Sequence, residues 1–212
     1  MSTSKQQILT AIRRARTSAV ELPALGRSWT TYPHRRQRFA EVIEAVGGVV
    51  VSVRDVAELN AQLPALPTFA EAKNIACRVS GVGEPNVDLA AVADPHDLAE
   101  LDIAILPGQF AVAENGAVWV TDDDLPHRVT YFLTQHLVLV VPAAEVVDNM
   151  HAAYKRLAGD ANRDSAFAQP GFGAFISGPS KTADIEQSLV IGAHGPRSLT
   201  VFLLETPARP GK

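Results

Sequence analysis

Cysteine is almost missing from this chain: Cys77 is the single one in 212 residues. One thiol excludes an internal disulfide and cannot supply the four thiolates of an iron–sulfur cluster or a cysteine-based zinc site. A reducing cytoplasm is the natural setting for such a composition. Long apolar runs are missing too, and none nears the roughly 20 residues of a membrane-spanning helix. The start, MSTSKQQILTAIRRAR, has no apolar stretch of the kind a secretory signal needs. It reads as an amphipathic helix with Ile8, Ile12 and Ala15 on one face, in preference to an Arg-rich transit peptide. The patterns G-x-G-x-x-G, G-x-x-x-x-G-K-[ST], G-x-S-x-G and H-E-x-x-H do not occur, so nothing implies a bound cofactor. The six histidines show no paired spacing and imply no metal site. What is present, 47 % apolar and 20 % charged residues, excludes a disordered chain and fits one globular α/β domain.

Acids are scarce at one end. Residues 1–38 hold eight of the 19 Lys and Arg but a single acid, Glu21, and so carry +7. The remaining 174 residues carry −11 within a total of −4. A basic arm on an acidic body is expected to dock on that body or on a neighbouring subunit. Nucleic acid is not expected as its partner, because the arm interleaves only Trp29, Tyr32 and Phe39 with its charges.

Periodicity predicts helices over 5–17 and 35–46, the latter from Phe39, Val42, Ile43 and Val46 at i, i+3, i+4, i+7. Short β-branched runs predict strands at 49–53, 74–80, 102–106 and 136–141. Asp55 caps a helix running to Leu63. A hairpin is expected at 110–120, where Glu114-Asn115-Gly116 supplies the tight turn. Helix 144–157, loop 159–171, strand 172–177, helix 182–193 and strand 198–204 complete the chain, the last three read as a βαβ unit. The resulting organisation is a basic helix and arm (1–34), a single α/β domain (35–206) and a loose tail (207–212). The fold class is α/β, a mostly parallel sheet covered on both faces. Cys77 reads as a buried small hydrophobe before it reads as a reactive thiolate.

Two places could carry chemistry. At Ser177-Gly178-Pro179-Ser180-Lys181-Thr182-Ala183-Asp184, a strand passes into the expected helix, whose free amides would favour an anion. Gly178, Ser180, Lys181, Thr182 and Asp184 are the candidate anion-binding residues, placed at the carboxyl end of a strand. Thr182 or Asp184 acting simply as an N-cap is the competing reading. At Ala113-Glu114-Asn115-Gly116, Glu114 is the candidate reactive carboxylate, with Asn115 and Gly116 beside it. A plain turn is the alternative there. Asp122-Asp123-Asp124 reads as solvated surface.

The segment Ile176-Ser177-Gly178-Pro179-Ser180-Lys181-Thr182-Ala183-Asp184-Ile185-Glu186, continuing to His194-Gly195-Pro196, resembles the signature of the LUD-domain family of lactate-utilisation protein C (LutC/YkgG). Phe110-Ala111-Val112-Ala113-Glu114-Asn115-Gly116 fits a second run of that family. The resemblance spans about residues 35–205. It implies a Rossmann-like three-layer α/β/α sandwich similar to the NagB/RpiA/CoA-transferase superfamily, with a β-hairpin near 110–120. It also implies an accessory, non-redox subunit of a cytoplasmic system that oxidises L-lactate to pyruvate. The iron–sulfur clusters of that system belong to partner subunits. Ala113-Glu114-Asn115-Gly116 is further similar to the S-E-N-G motif of CoA transferases, with Ala in place of Ser. That leaves an alternative: a stand-alone enzyme or binding protein for a CoA ester or small anionic metabolite, a carboxylate or phosphate, with Glu114 reactive. A homo-oligomer is compatible with either reading.

Overall fold

Five apolar runs assemble into one sheet, and those at 103–107, 136–142 and 198–204 are buried on both faces and so need neighbours above and below. The computed structural model describes residues 3–15, 20–21, 26, 28–123, 125–159, 171–182 and 189–206. Its helices are α1 (Ser4–Arg14), α2 (Arg35–Ala45), α3 (Val56–Gln62), α4 (Thr130–Leu133) and α5 (Met150–Ala158). Its strands are β1 (Val49–Val53), β2 (Ile75–Cys77), β3 (Ile103–Pro107), β4 (Phe110–Val112), β5 (Ala117–Thr121) and β6 (His136–Pro142). They continue with β7 (Val146–Val147), β8 (Gly173–Ile176), β9 (Lys181–Thr182), β10 (Val190–Ile191) and β11 (Ser198–Leu204). The main sheet has the order β1-β11-β6-β3-β2, and every pair in it is parallel.

The period of two along these strands separates two cores. Ala104, Leu106, Leu137, Leu139, Val141, Leu199, Val201 and Leu203 face α2, through Phe39 and Ile43, and a second sheet, through Ala111, Val118 and Val120. Ile103, Ile105, Val138, Val140, Phe202 and Leu204 face Leu59 and Leu63 on the α3 side. Burying a side chain such as Phe39 or Ile43 is worth about 1.5–3 kcal/mol. The fold is thus a three-layer α/β arrangement around a mostly parallel sheet. The second sheet, ordered β7-β4-β5-β8, grows out of the expected hairpin: Phe110 pairs with Trp119 and Val112 with Ala117. Its outer face carries α5, through Ala153 and Leu157.

Three expectations fail, for local reasons. The helix expected over 144–157 starts only at Met150, where Asn149 caps it by accepting from the Ala152 N–H; Val146 and Val147 pair with Ala111 and Val112 instead. The helix expected over 182–193 is not there at either end: Lys181 and Thr182 pair antiparallel with Ile191 and Val190. Thr182 and Val190 are β-branched, and Gly192, at φ +76°, ends the second strand. The terminal βαβ unit therefore does not form, since β8 lies in the second sheet and β11 in the first. Most of the expected loop 159–171, along with Asp124 and the expected tail, lies outside the described residues. Cys77 behaves as a small hydrophobe: its Sγ accepts from the Val79 N–H at 3.3 Å and burial pushes its pKa up.

The basic arm meets acids on the body. Arg36 forms an ion pair with Glu205. The Tyr32 N–H donates to Asp148 Oδ1 at 2.8 Å, Asn149 Nδ2 donates to the Thr30 carbonyl at 2.7 Å, and Trp29 stacks on His151 with ring centroids 3.3 Å apart. Residues 29–36 thus form a strap held at the carboxyl end of the main sheet.

Candidate functional site

The hairpin turn and the Ser177–Thr182 segment meet. The Ser177 hydroxyl donates to the Asn115 carbonyl at 2.8 Å, which joins the β4–β5 turn to the end of β8. Gly116 sits at φ +67°, and a Cβ there would come within 3.1 Å of Val42 on α2. Gly178 sits at φ +75°, and a Cβ there would lie 2.9 Å from the Val46 carbonyl oxygen. Only glycine combines those dihedrals with that approach, so both turns are pressed onto the last turns of α2. The Lys181 side chain runs past Gly47, at the α2–β1 junction.

Glu114 is exposed, and its carboxylate accepts from the Met150 N–H at 2.9 Å, at the start of α5. In this arrangement Glu114 satisfies an otherwise free helix-end amide. The Asn115 side chain accepts from the Ala117 N–H at 3.2 Å and so shapes the turn.

The Ser180 N–H donates to the Pro196 carbonyl at 2.9 Å, and the Gly192 N–H donates to the Ser180 carbonyl at the same distance. Pro196 precedes β11, so this segment lies at the amino end of the main sheet rather than at the expected carboxyl end. No helix begins at Lys181 or Thr182, and the amides invoked for an anion do not come from a helix start there. What remains for an anion is the Lys181 ammonium with the hydroxyls of Ser180 and Thr182. Asp184 lies outside the described residues.

A second polar site escaped the sequence reading. A cleft of about 670 Å³ opens at the amino ends of β3, β6 and β11, lined among others by Glu71, Glu100, Asp102, Gln135, His136 and Arg197. Asp102 Oδ2 accepts from the backbone N–H groups of Asn74 (2.8 Å) and Lys73 (2.7 Å). Those bonds hold its pKa below the usual carboxylate range. Burial, and then the nearby Arg197, push the His136 pKa down, so the ring is neutral at pH 7. Its Nδ1 lies 2.9 Å from Ser198 Oγ. The signal was in the sequence: Asp102, Gln135–His136 and Arg197 each stand at the amino boundary of an apolar run. Polar residues at such boundaries converge once parallel strands align.

Among the described residues, no three His, Cys, Asp or Glu side chains are arranged to hold a metal ion, and no helix is long and apolar enough to cross a membrane. A DUF162-family protein of Deinococcus radiodurans shares the fold, with a TM-score of 0.56 at 16 % identity over 81 % of this chain and 96 % of the other. Lactate utilization protein C of Oceanobacillus iheyensis is 26 % identical over 137 residues, which is 65 % of this chain and 54 % of the relative. Lactate utilization protein C of Geobacillus thermodenitrificans is 31 % identical over 117 residues, 55 % of this chain and 45 % of the relative. The chain spans about half the length of the curated relatives it matches. The LUD domain model covers residues 87–204, more than half of the chain. That stretch takes in the hairpin turn, the Ser177–Thr182 segment and three of the five strands of the main sheet, β3, β6 and β11, and on this ground the chain belongs to the LUD-domain family.

Proposed function

We propose that this chain serves lactate utilisation, as an accessory, non-redox component of a cytoplasmic system. Iron–sulfur partner subunits carry the oxidation of L-lactate to pyruvate in that system. The reading is carried by the LUD domain match over residues 87–204, taken with relatives named lactate utilization protein C. The single cysteine supports it, because electron transfer through thiolate-held clusters then needs another polypeptide. In this proposal residues 35–206 are the working domain, with the arm at 1–34 and the tail at 207–212 as appendages.

Within that role the joined turns form a site for a small carboxylate or phosphate. Lys181 supplies charge, Ser180 and Thr182 supply hydroxyls, and Gly116 and Gly178 let the backbone come close. The bond between Ser177 and Asn115 supports this, since it brings both stretches to one place. Deleting the gene should abolish growth on L-lactate while sparing growth on pyruvate, and the restored gene should recover it. Unchanged growth on L-lactate overturns the proposal. Lys181→Ala should weaken the binding of lactate or phosphate about tenfold to a hundredfold in calorimetric titration, as expected for one charge-assisted contact.

A further inference from the structure

Two features of the fold lack a counterpart. The first is α1, whose flanks 3–15 are exposed throughout. Ile8 and Ile12 are 57 % and 58 % exposed, and with Leu9 they form an apolar stripe. Lys5, Arg13 and Arg14 border it, and the helix contains no acid. An isolated helix of 11 residues is marginal in water and gains its stability from a surface against its apolar face. The second is the cleft at the amino end of the main sheet. Glu71 and Glu100 stand exposed on it, with Asp94 and Asp97 close by in sequence to Glu100; residues 94–102 contain four acids and no Lys or Arg. Among the described residues Arg197 is the one cationic side chain in its lining, with Lys73 beside Asp102. Pro67, Ala72 and Ala99 supply the apolar part of its lining.

We propose that α1 docks across this cleft on a second copy of the chain, the two copies exchanging helices about a two-fold axis. The Ile8–Ile12 stripe lies on Pro67, Ala72 and Ala99, and Arg13 and Arg14 meet Glu71 and Glu100. Charge decides the receptor: a helix of +3 without acids faces the acid-rich end of a body that carries −11 beyond residue 38. Position decides the copy. The strap that follows α1 is fastened at the carboxyl end of the sheet, where Arg36 pairs with Glu205 just beyond β11. The cleft is at the opposite end, residues 3–15 are exposed throughout and none of them lines it, so the helix is not seated in the cleft of its own copy. An exchange between copies is closed and self-complementary, as a two-fold dimer requires. It stands independently of the lactate reading.

Charge reversal in the full-length chain tests it. At low ionic strength, sedimentation equilibrium should show a dimer that dissociates as salt is raised. R13E/R14E and E71K/E100K should each be monomeric and still unfold cooperatively, because all four positions are exposed. Mixing the two variants should restore a dimer, since each helix then meets a cleft of opposite charge. A monomeric parent at low salt overturns the proposal, as does a dimer that survives either reversal. So does a mixture that stays monomeric, particularly if the chain with all four changes gains stability as a monomer, the signature of docking within one copy. A monomeric parent that binds phosphatidylserine vesicles through Arg13 and Arg14 would assign α1 to a membrane surface instead.

Discussion

The two ends of the main sheet are built from the same material and finished differently. At the carboxyl end the chain supplies its own counter-charges: Arg36 meets Glu205, Arg35 Nη1 donates to the Val146 carbonyl at 3.0 Å, and the Tyr32 N–H donates to Asp148. The basic strap is fastened across that end. At the amino end Glu71, Glu100 and Asp102 face Arg197 and a neutral His136, and a cleft remains. The strands cannot be the cause, because the same strands run through both ends. The residues just outside the strands are the cause, and in particular whether a segment of opposite charge lies within reach. Burial makes the fold here, and the flanking polar residues decide where it is open.

The strongest way to break the contrast is to loosen what the two ends share. α2 runs from the strap at Arg35 to the Gly178 contact at Val46, and Phe39 is fully buried in it. Phe39→Ala should cost about 3–5 kcal/mol in urea unfolding. Hydrogen exchange should then quicken at both ends together. Quickening at the strap alone would mean that the ends are independent. Gly178→Val comes next. It forces a β-branched residue to φ +75° and presses a Cβ on the Val46 carbonyl, at a cost of about 2–3 kcal/mol. Its loss should fall on the amino end and on the junction with Asn115, leaving strap protection close to that of the parent.

These two residues also show how legible the molecule was. The α2 stripe, β1, β3, β6 and the hairpin could be read directly, because each is a local pattern with its period set by burial. The failures share one cause. Residues 144–149 carry apolar spacing that suits a helix, yet Val146 and Val147 complete the edge beside β4, a demand that only the assembled sheet makes. The Gly-Pro approach to Lys181 and Thr182 predicts a helix start, and a partner strand eight to ten residues on takes them instead. The joining of Asn115 to Ser177 spans 62 positions, and no window of sequence contains it. The amino-end cleft was missed for the same reason: its residues are dispersed from Glu71 to Arg197, and only parallel register gathers them.

Smaller changes separate the ends. Trp29→Ala removes the ring stacked on His151 and should cost about 1 kcal/mol. Exchange at residues 28–34 should rise while β6 and β11 keep their protection. If β11 loses protection too, the strap is part of the core. Asp102→Asn acts at the other end and should also cost about 1 kcal/mol near neutral pH, an amount limited by solvent at a partly exposed carboxylate. The folded pKa of Asp102 is depressed, so its contribution is present above the unfolded value of about 3.9 and is lost as pH falls through the folded value. The parent and the Asp102→Asn chain should therefore converge in acid. A gap that stays constant to the lowest pH reached before unfolding would show that the carboxylate's charge is not what the Asn74 and Lys73 amides recognise.

The finest test follows the His136 ring by NMR. Burial is the main reason that its pKa lies below 6.5, Arg197 adds to the depression, and Asp102 opposes it. Arg197→Ala should therefore raise the midpoint without bringing it to 6.5, because burial remains. Asp102→Asn should lower it further, because the opposing charge is gone. The same depression makes His136 a small stabilising group above pH 6.5. That contribution fades as pH falls through the folded midpoint, where the ring must take up a proton that the folded site resists. The two variants thus move one resonance in opposite directions, by charge alone, in a cleft whose backbone they leave in place. Equal shifts of one sign would mean that both changes merely let water in. The contrast between a charge-matched end and a charge-unmatched end would then reduce to a difference in packing.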